Sequence, residues 1–478
     1  MDQKREKGNR SFSLVVTSVL CLVASPVWAA EVTVPVRETG PVSEVNLVRL
    51  EDLIQRARER SPEILAMKAD WLAQKKRVWI DSSLPDPMGE YDLMGSDRET
   101  RVGPEMQRFV ISQDIPFPWK LYEKGKMAHE EARAVYQRYR AIERDILNQI
   151  TKLYYELYFV DASIEVIEEI KELLKNFENV AQARYGNLSG SQRDVAKAQA
   201  EVSMSLEKLF MLRQEREKVV AMIHAFLDED PMSSMGKAVL PSEKPKLEHS
   251  LVELVNLAVQ NRQEIKEMEA MAAKSKHGKR LAKLAYIPDL SIGFEYIRVG
   301  GGTTTEEMDG QDQWMFPLRI NIPLWQNRII PEIQEAQKRQ EAAQARLVQA
   351  KNETFYEVKE AYYRFDAARK ISELYDTAIV PQAKLALSAD QAGYESGKSG
   401  FLDLLDSERV YLNAKLTHVQ FFTEALKSHA DLVRATGLDL SSLRAPEGRS
   451  NPEAEIASSP PKAAPRNDVP TGSEGIEP

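Results

Sequence analysis

The chain is almost free of cysteine: of 478 residues only Cys21 is one. It also lacks a long internal apolar run. Charged residues make up 29% and the mean hydropathy is -0.43, which excludes a bundle of membrane-spanning helices. Six histidines (129, 224, 249, 277, 418 and 429) are scattered through helical segments, and none has metal-ligand spacing. There is no phosphate-binding glycine loop, no Gly-x-Ser-x-Gly and no His-Glu-x-x-His. The i,i+3 methionines Met232/Met235 and Met268/Met271 read as filling rather than a metal relay. These absences argue against an enzyme, a cofactor and a metal site. A formal charge of -9 argues against nucleic acid as a partner.

The one apolar run is N-terminal. Residues 1–29 read as a secretory signal peptide: a basic start (MDQKREKGNR), an apolar stretch, and Val27, Trp28 and Ala29 before the cut. The alternative is an N-terminal anchor. Cys21 follows Leu20, with Ser18 three before it, so a lipidation signal is not expected. Loss of four basic and two acidic residues takes the charge to -11. An exported chain without disulfides must be held by packing or by oligomerisation. Residues 441–478, rich in Pro, Ser, Gly and charge, are expected to be disordered.

What is present is a unit written twice. LEDLIQRARERSPEI (50–64) matches LVELVNLAVQNRQEI (251–265), sharing Leu50/Leu251, Leu53/Leu254, Ala57/Ala258, Glu63/Glu264 and Ile64/Ile265. Pro85 and Asp86 match Pro288 and Asp289, the Ile-Pro pair at Pro116 matches that at Pro323, and Tyr185 and Asp194 match Tyr394 and Asp403. The offset grows slowly from 201 to 209 along the chain, as a tandem duplication with small insertions would make it. We therefore expect an extended segment at 30–43, a first repeat at 44–240 and a second at 241–440. Each should hold two shorter helices, a hairpin (about 88–115 and 290–322), a very long helix (about 120–186 and 327–395) and a return helix (189–228 and 398–437).

Ile150, Leu153, Leu157, Val160, Ile164 and Ile167 alternate three and four apart, as do Leu405, Leu412, Leu416, Val419, Leu426 and Val433. This is a coiled-coil seam. LSIGFEYIRV (290–299) sets Leu290, Ile292, Phe294 and Tyr296 on one face, and WMFPLRINIPLW (314–325) sets Phe316, Leu318, Ile320 and Ile322 on one face, with Glu295 and Arg319 opposite. Trp314 and Trp325 bracket the latter as interfacial aromatics would. The first hairpin reads as a weaker version. Four strands cannot close a barrel, so strands embedded in lipid imply several chains sharing one, and three chains give twelve strands. The alternative is a soluble sheet capping a helical bundle. Pro116 and Pro323 end strand pairing and open the long helices.

The layout resembles the TolC-type outer-membrane efflux proteins up to about residue 440. The resemblance is carried by SGKSGFLDLLDSERVYLNAKL (396–416), RYGNLSGSQRDVAKAQAEV (184–202) and the QDIPFPWKL corner, where a glycine is more usual at Trp119. It implies a mainly α-helical fold with a membrane β-barrel: a homotrimer whose twelve-stranded barrel sits in the outer membrane above a twelve-helix periplasmic tube. It also implies a passive duct that docks a periplasmic adaptor and an inner-membrane pump of the resistance-nodulation-division type, and exports drugs or metal ions. Asp403 and Asp406 match aspartates of the constricted entrance, which threefold symmetry would turn into carboxylate rings; alternatively they are ordinary helix-start acids. Asp194 matches a closing-latch residue, for which Lys398 is the nearest basic partner. Tyr185, Gly186, Tyr394, Gly397 and Ser399 lie in the turns where an adaptor would dock, or are turn residues only. A polypeptide duct of the same fold and a periplasmic coiled-coil scaffold are the alternatives.

Overall fold

The structure, a computed structural model, describes residues 47–240, 249–302, 305 and 307–438. The expected signal peptide, extended segment and disordered tail fall outside these residues. A two-residue strand β1 (Leu47–Val48) is followed by α1 (Leu50–Arg60) and α2 (Pro62–Ser82). Then come β2 (Met88–Thr100), β3 (Gly103–Ile115), α3 (Pro118–Gly186) and α4 (Gln192–Leu227). A short β4 (Lys237–Ala238) leads to α5 (Leu251–Asn261), α6 (Gln263–Lys283), β5 (Leu290–Val299), β6 (Gln313–Met315) and β7 (Leu318–Ile320). The chain ends in α7 (Gln326–Leu374), α8 (Val380–Glu395) and α9 (Phe401–Thr436). Among the described residues no helix is long and apolar enough to cross a membrane.

α3 runs 69 residues, about 100 Å at ~1.5 Å per residue. Pro118 stands at its first position, where a missing N–H is harmless, and no proline follows. The second long helix was expected unbroken over 327–395. It is interrupted by a π turn at Tyr375–Ile379 between α7 and α8. Pro381 explains this: it lies one turn on, supplies no N–H, and its ring crowds the carbonyl four residues back.

The seam residues pack as the spacing predicts. Ile150, Leu157, Val160, Ile167, Leu174, Phe177 and Ala181 of α3 are buried. Towards the helix turns they meet Ala198 and Leu209 of α4, Ala383 and Leu387 of α8, and Leu404, Leu405 and Leu412 of α9. Each buried Leu, Ile or Phe contributes about 1.5–3 kcal/mol. Midway along, an ionic cluster ties four elements together. Arg434 of α9 reaches Asp145 of α3, Glu357 of α7 at 3.1 Å and Glu264 of α6 at 3.5 Å, while Arg262 reaches Glu357 at 2.5 Å and Glu264 at 3.1 Å. Burial alone would raise the Glu264 carboxyl; the Arg262 hydrogen bond and the two guanidinium charges bring it below the ordinary glutamate range.

The sheet runs β2-β3-β5-β6, with β7 also paired to β5, and all pairings are antiparallel. β3 and β5, from the two halves, are joined over Ile115↔Leu290 to Glu105↔Val299. One expectation reverses here. The first hairpin is the regular one, with two 13-residue strands, and the second is broken. Pro317 divides the expected 314–322 strand: having no N–H it leaves the ladder, while its carbonyl still accepts from Gly293 at 2.9 Å.

Candidate functional site: an inverted sheet and two helix turns

The faces of the sheet follow from its register. Tyr91, Phe109, Tyr296 and Trp314 stand in one row across β2, β3, β5 and β6. Tyr91 and Phe109 are 4.8 Å apart by ring centre, and Phe294 packs on Phe316 at 5.3 Å. This apolar face is the open one: Trp314 is 65% and Phe316 70% exposed, and Leu93, Ile111, Ile292, Leu318 and Ile320 are exposed as well. The opposite face is the covered one, where Val110, Ile297 and Val299 are buried beside an ion pair. Glu295 is 6% exposed and pairs with Arg108, which also reaches Asp92 at 3.4 Å. A sheet capping a soluble bundle would bury its aromatic side. This one turns it outward, as a barrel in lipid does. Its outer strands, β2 on one side and β6 with β7 on the other, each pair on one side only within the chain.

The two prolines stand where strand gives way to helix, Pro116 between β3 and α3 and Pro323 between β7 and α7. Trp325 is the residue that caps α7, and Trp119 holds the second position of α3. Both are exposed. Trp119, which the sequence reading left out, is stacked on Phe117 at 5.9 Å.

At the far end the helix pairs reverse in two turns, 187–191 between α3 and α4 and 396–400 between α8 and α9. Tyr185 is 48% exposed and Gly186 ends α3 beside it. Tyr394 was expected in the same exposed docking position, but it is 3% exposed. The cause is Arg184, whose guanidinium lies 4.6 Å over the Tyr394 ring and donates to the Tyr394 carbonyl. Phe401 closes the other side at 5.2 Å. Burial, then the nearby Asp194 carboxylate, raises the Tyr394 phenol above its ordinary range. Tyr394 is therefore a packing residue. Gly397 has φ 77°, a conformation that glycine takes without strain, and the Ser399 hydroxyl donates to the Asp390 carbonyl at 3.1 Å.

Asp194 is half-buried, Lys398 is exposed, and no ion pair joins them among the described residues. The cation that does link the two turns is Arg184. Asp403 and Asp406 are exposed near the start of α9. Asp403 accepts from the Gly400 N–H at 3.0 Å and so caps the helix.

Two residues at this end were missed. Leu188 has φ 60° and is 95% exposed, a leucine in a left-handed conformation with nothing covering it in the chain. Its repeat equivalent is Gly397, so the duplication itself carried the signal. Glu408 is 1% exposed and lies on a crevice of about 240 Å³ lined by Leu174, Glu201, Lys208 and Leu412. Burial, then the Glu201 carboxylate, pushes it up to about 7, against the opposing charges of Lys208 and Arg409. It falls between Leu405 and Leu412 in the apolar seam, where a glutamate is out of pattern.

Residues 254–438 match the family described as outer membrane efflux protein. The chain is 23% identical to protein CyaE of Bordetella pertussis over 352 residues, 71% of this chain and 73% of that protein. It is 21% identical to the outer membrane protein TolC of Vibrio cholerae over 414 residues, 83% of this chain and 88% of that protein. Its fold is that of the open-state MtrE outer membrane channel of Neisseria gonorrhoeae: TM-score 0.68 at 19% identity, covering 82% of this chain and 89% of that one. The TolC-type resemblance read from the sequence is borne out in fold, and the efflux-protein family match lies in the second half of the chain; the similar solved structure is an outer-membrane channel, not an enzyme.

Proposed function

We propose that the protein is the outer-membrane exit duct of a tripartite efflux system. Three copies share a twelve-stranded barrel and continue into a helical tube across the periplasm. The observation that carries this is the inverted sheet, its aromatic face open and the Arg108–Glu295 pair on its covered face, with one open edge on each side. A second unpartnered surface supports it. Val348, Tyr356, Tyr363, Leu374 and Leu385 form an exposed stripe at helical spacing along α7 and α8, which a neighbouring copy would cover.

The duct is passive. Small solutes, drugs or metal ions, enter from a periplasmic adaptor and an inner-membrane pump of the resistance-nodulation-division type. The adaptor docks on Tyr185, Gly186, Leu188, Gly397 and Ser399. Asp403, Asp406 and Asp194 line the closed periplasmic aperture, with the carboxylates of three copies set in rings.

Spin labels placed singly at Phe294 and Ser112 of the protein in lipid vesicles test the barrel. Oxygen should reach the label at 294 and a water-soluble nickel chelate the label at 112. Equal access of the nickel chelate to both would leave the coiled-coil scaffold with a soluble cap as the reading.

A further inference from the structure

Each half of the chain carries a Pro-Asp pair just before its hairpin, Asp86 in the first and Asp289 in the second. The structure shows what Asp289 does. Its carboxylate accepts from the Phe117 N–H at 2.8 Å and pairs with Lys120 Nζ at 2.9 Å, and the same ammonium donates to the Ile287 carbonyl at 2.7 Å. Phe117 caps α3 and Lys120 is its third residue. A lysine there opposes the helix dipole, and a carboxylate beside it removes that conflict. Asp289 therefore staples the start of one repeat's strand β5 to the helix that follows the adjoining strand β3 of the other repeat.

The second corner repeats the plan without the acid. Trp325 caps α7 and Arg328 is its third residue, a cation at the same position. Arg328 is exposed and forms no ion pair among the described residues, where the Trp325 N–H has no partner either. Asp86 in turn is exposed and has no hydrogen bond or ion pair among those residues. Asp86 precedes β2, one open edge of the sheet, and Arg328 follows β7, at the other. Within one chain the strand order keeps these two edges apart.

We infer that Asp86 staples the α7 start of a neighbouring copy, accepting from the Trp325 N–H and pairing with Arg328, as Asp289 does with Phe117 and Lys120 inside the chain. The inference rests on the shared-barrel reading. It adds that the joint between copies repeats the joint between repeats, so six corners would be closed by six aspartates, alternately within and between chains.

The test uses the full chain with Cys21→Ser, which leaves no native cysteine. Asp289→Cys with Phe117→Cys calibrates the reaction: a short bis-maleimide should join them within one chain, leaving the mass of a single chain under denaturing conditions. Asp86→Cys with Trp325→Cys should instead give a covalent trimer. In parallel, Asp86→Arg and Arg328→Asp should each lower the temperature at which the trimer dissociates in mild detergent, and the double exchange should restore it. A trimer that forms but gives no 86–325 product while the 289–117 pair reacts, or an exchange without rescue, overturns the staple and leaves the duct standing. A chain that stays monomeric in every detergent overturns both.

Discussion

Leu188 and Gly397 hold the same left-handed position in the two turns, 209 residues apart, yet one is an exposed leucine and the other a glycine. The same offset relates the exposed Tyr185 to the buried Tyr394, Arg184 to Gly393, and Gln199 to Glu408. Duplication supplied one scaffold, and the copies then diverged in what they present. The first turn offers side chains outward and sends Arg184 across. The second receives Arg184 on Tyr394 and carries the acids, exposed at Asp403 and Asp406 and buried at Glu408. A non-glycine residue at positive φ costs roughly 1–2 kcal/mol, so a leucine kept there with no contact inside the chain points to a contact outside it.

The largest effect comes from making the second copy resemble the first at its buried acid. A carboxyl pushed up to about 7 from the ordinary 4.5 has its folded-state value raised. Its contribution to stability is therefore full below about 4.5 and lost as pH rises through about 7. Glu408→Gln should stabilise the protein at pH 8 by on the order of 3 kcal/mol. The native chain should lose melting temperature between pH 5.5 and 8, and the substitution should flatten that fall. A native profile already flat over that interval would remove the claim.

Arg184→Ala comes next. It removes a charged hydrogen bond and a ring contact, together about 2 kcal/mol, and should expose Tyr394, read as increased quenching of its fluorescence in a chain retaining that tyrosine alone. Exchanging the glycine positions sharpens the contrast. Gly397→Ala should destabilise by about 1 kcal/mol, whereas Leu188→Gly should change melting by less than that and still weaken adaptor binding in a pull-down. Smallest in stability, at about 0.5 kcal/mol, is Asp403→Ala with Asp406→Ala. Its expected signature is electrical: reduced cation selectivity of the single channel and weaker block by divalent cations. Unchanged selectivity would leave the two acids as helix-start residues only.

The architecture was legible because its signals repeat. The seam spacing, the alternation in 290–299 and the matched corners each recur at one slowly drifting offset. What escaped was set by single residues against their neighbours. Pro317 broke the strand that looked stronger, and Pro381 broke a helix whose pattern ran on unbroken. Tyr394 lies at a turn expected to be exposed, and nothing in the local sequence tells that Arg184 would lie on it. Lys398 is the nearest cation in sequence to the second turn, whereas the linking cation, Arg184, comes from the other repeat. Glu408 and Leu188 were visible as departures, one from the seam and one from the repeat, and could be found by reading mismatches instead of matches.

The most direct test of the shared barrel is the mass of the mature protein extracted from membranes in mild detergent. The account predicts a trimer recovered only from the outer-membrane fraction and only with detergent. A monomer or dimer soluble in the periplasmic fraction without detergent would contradict it.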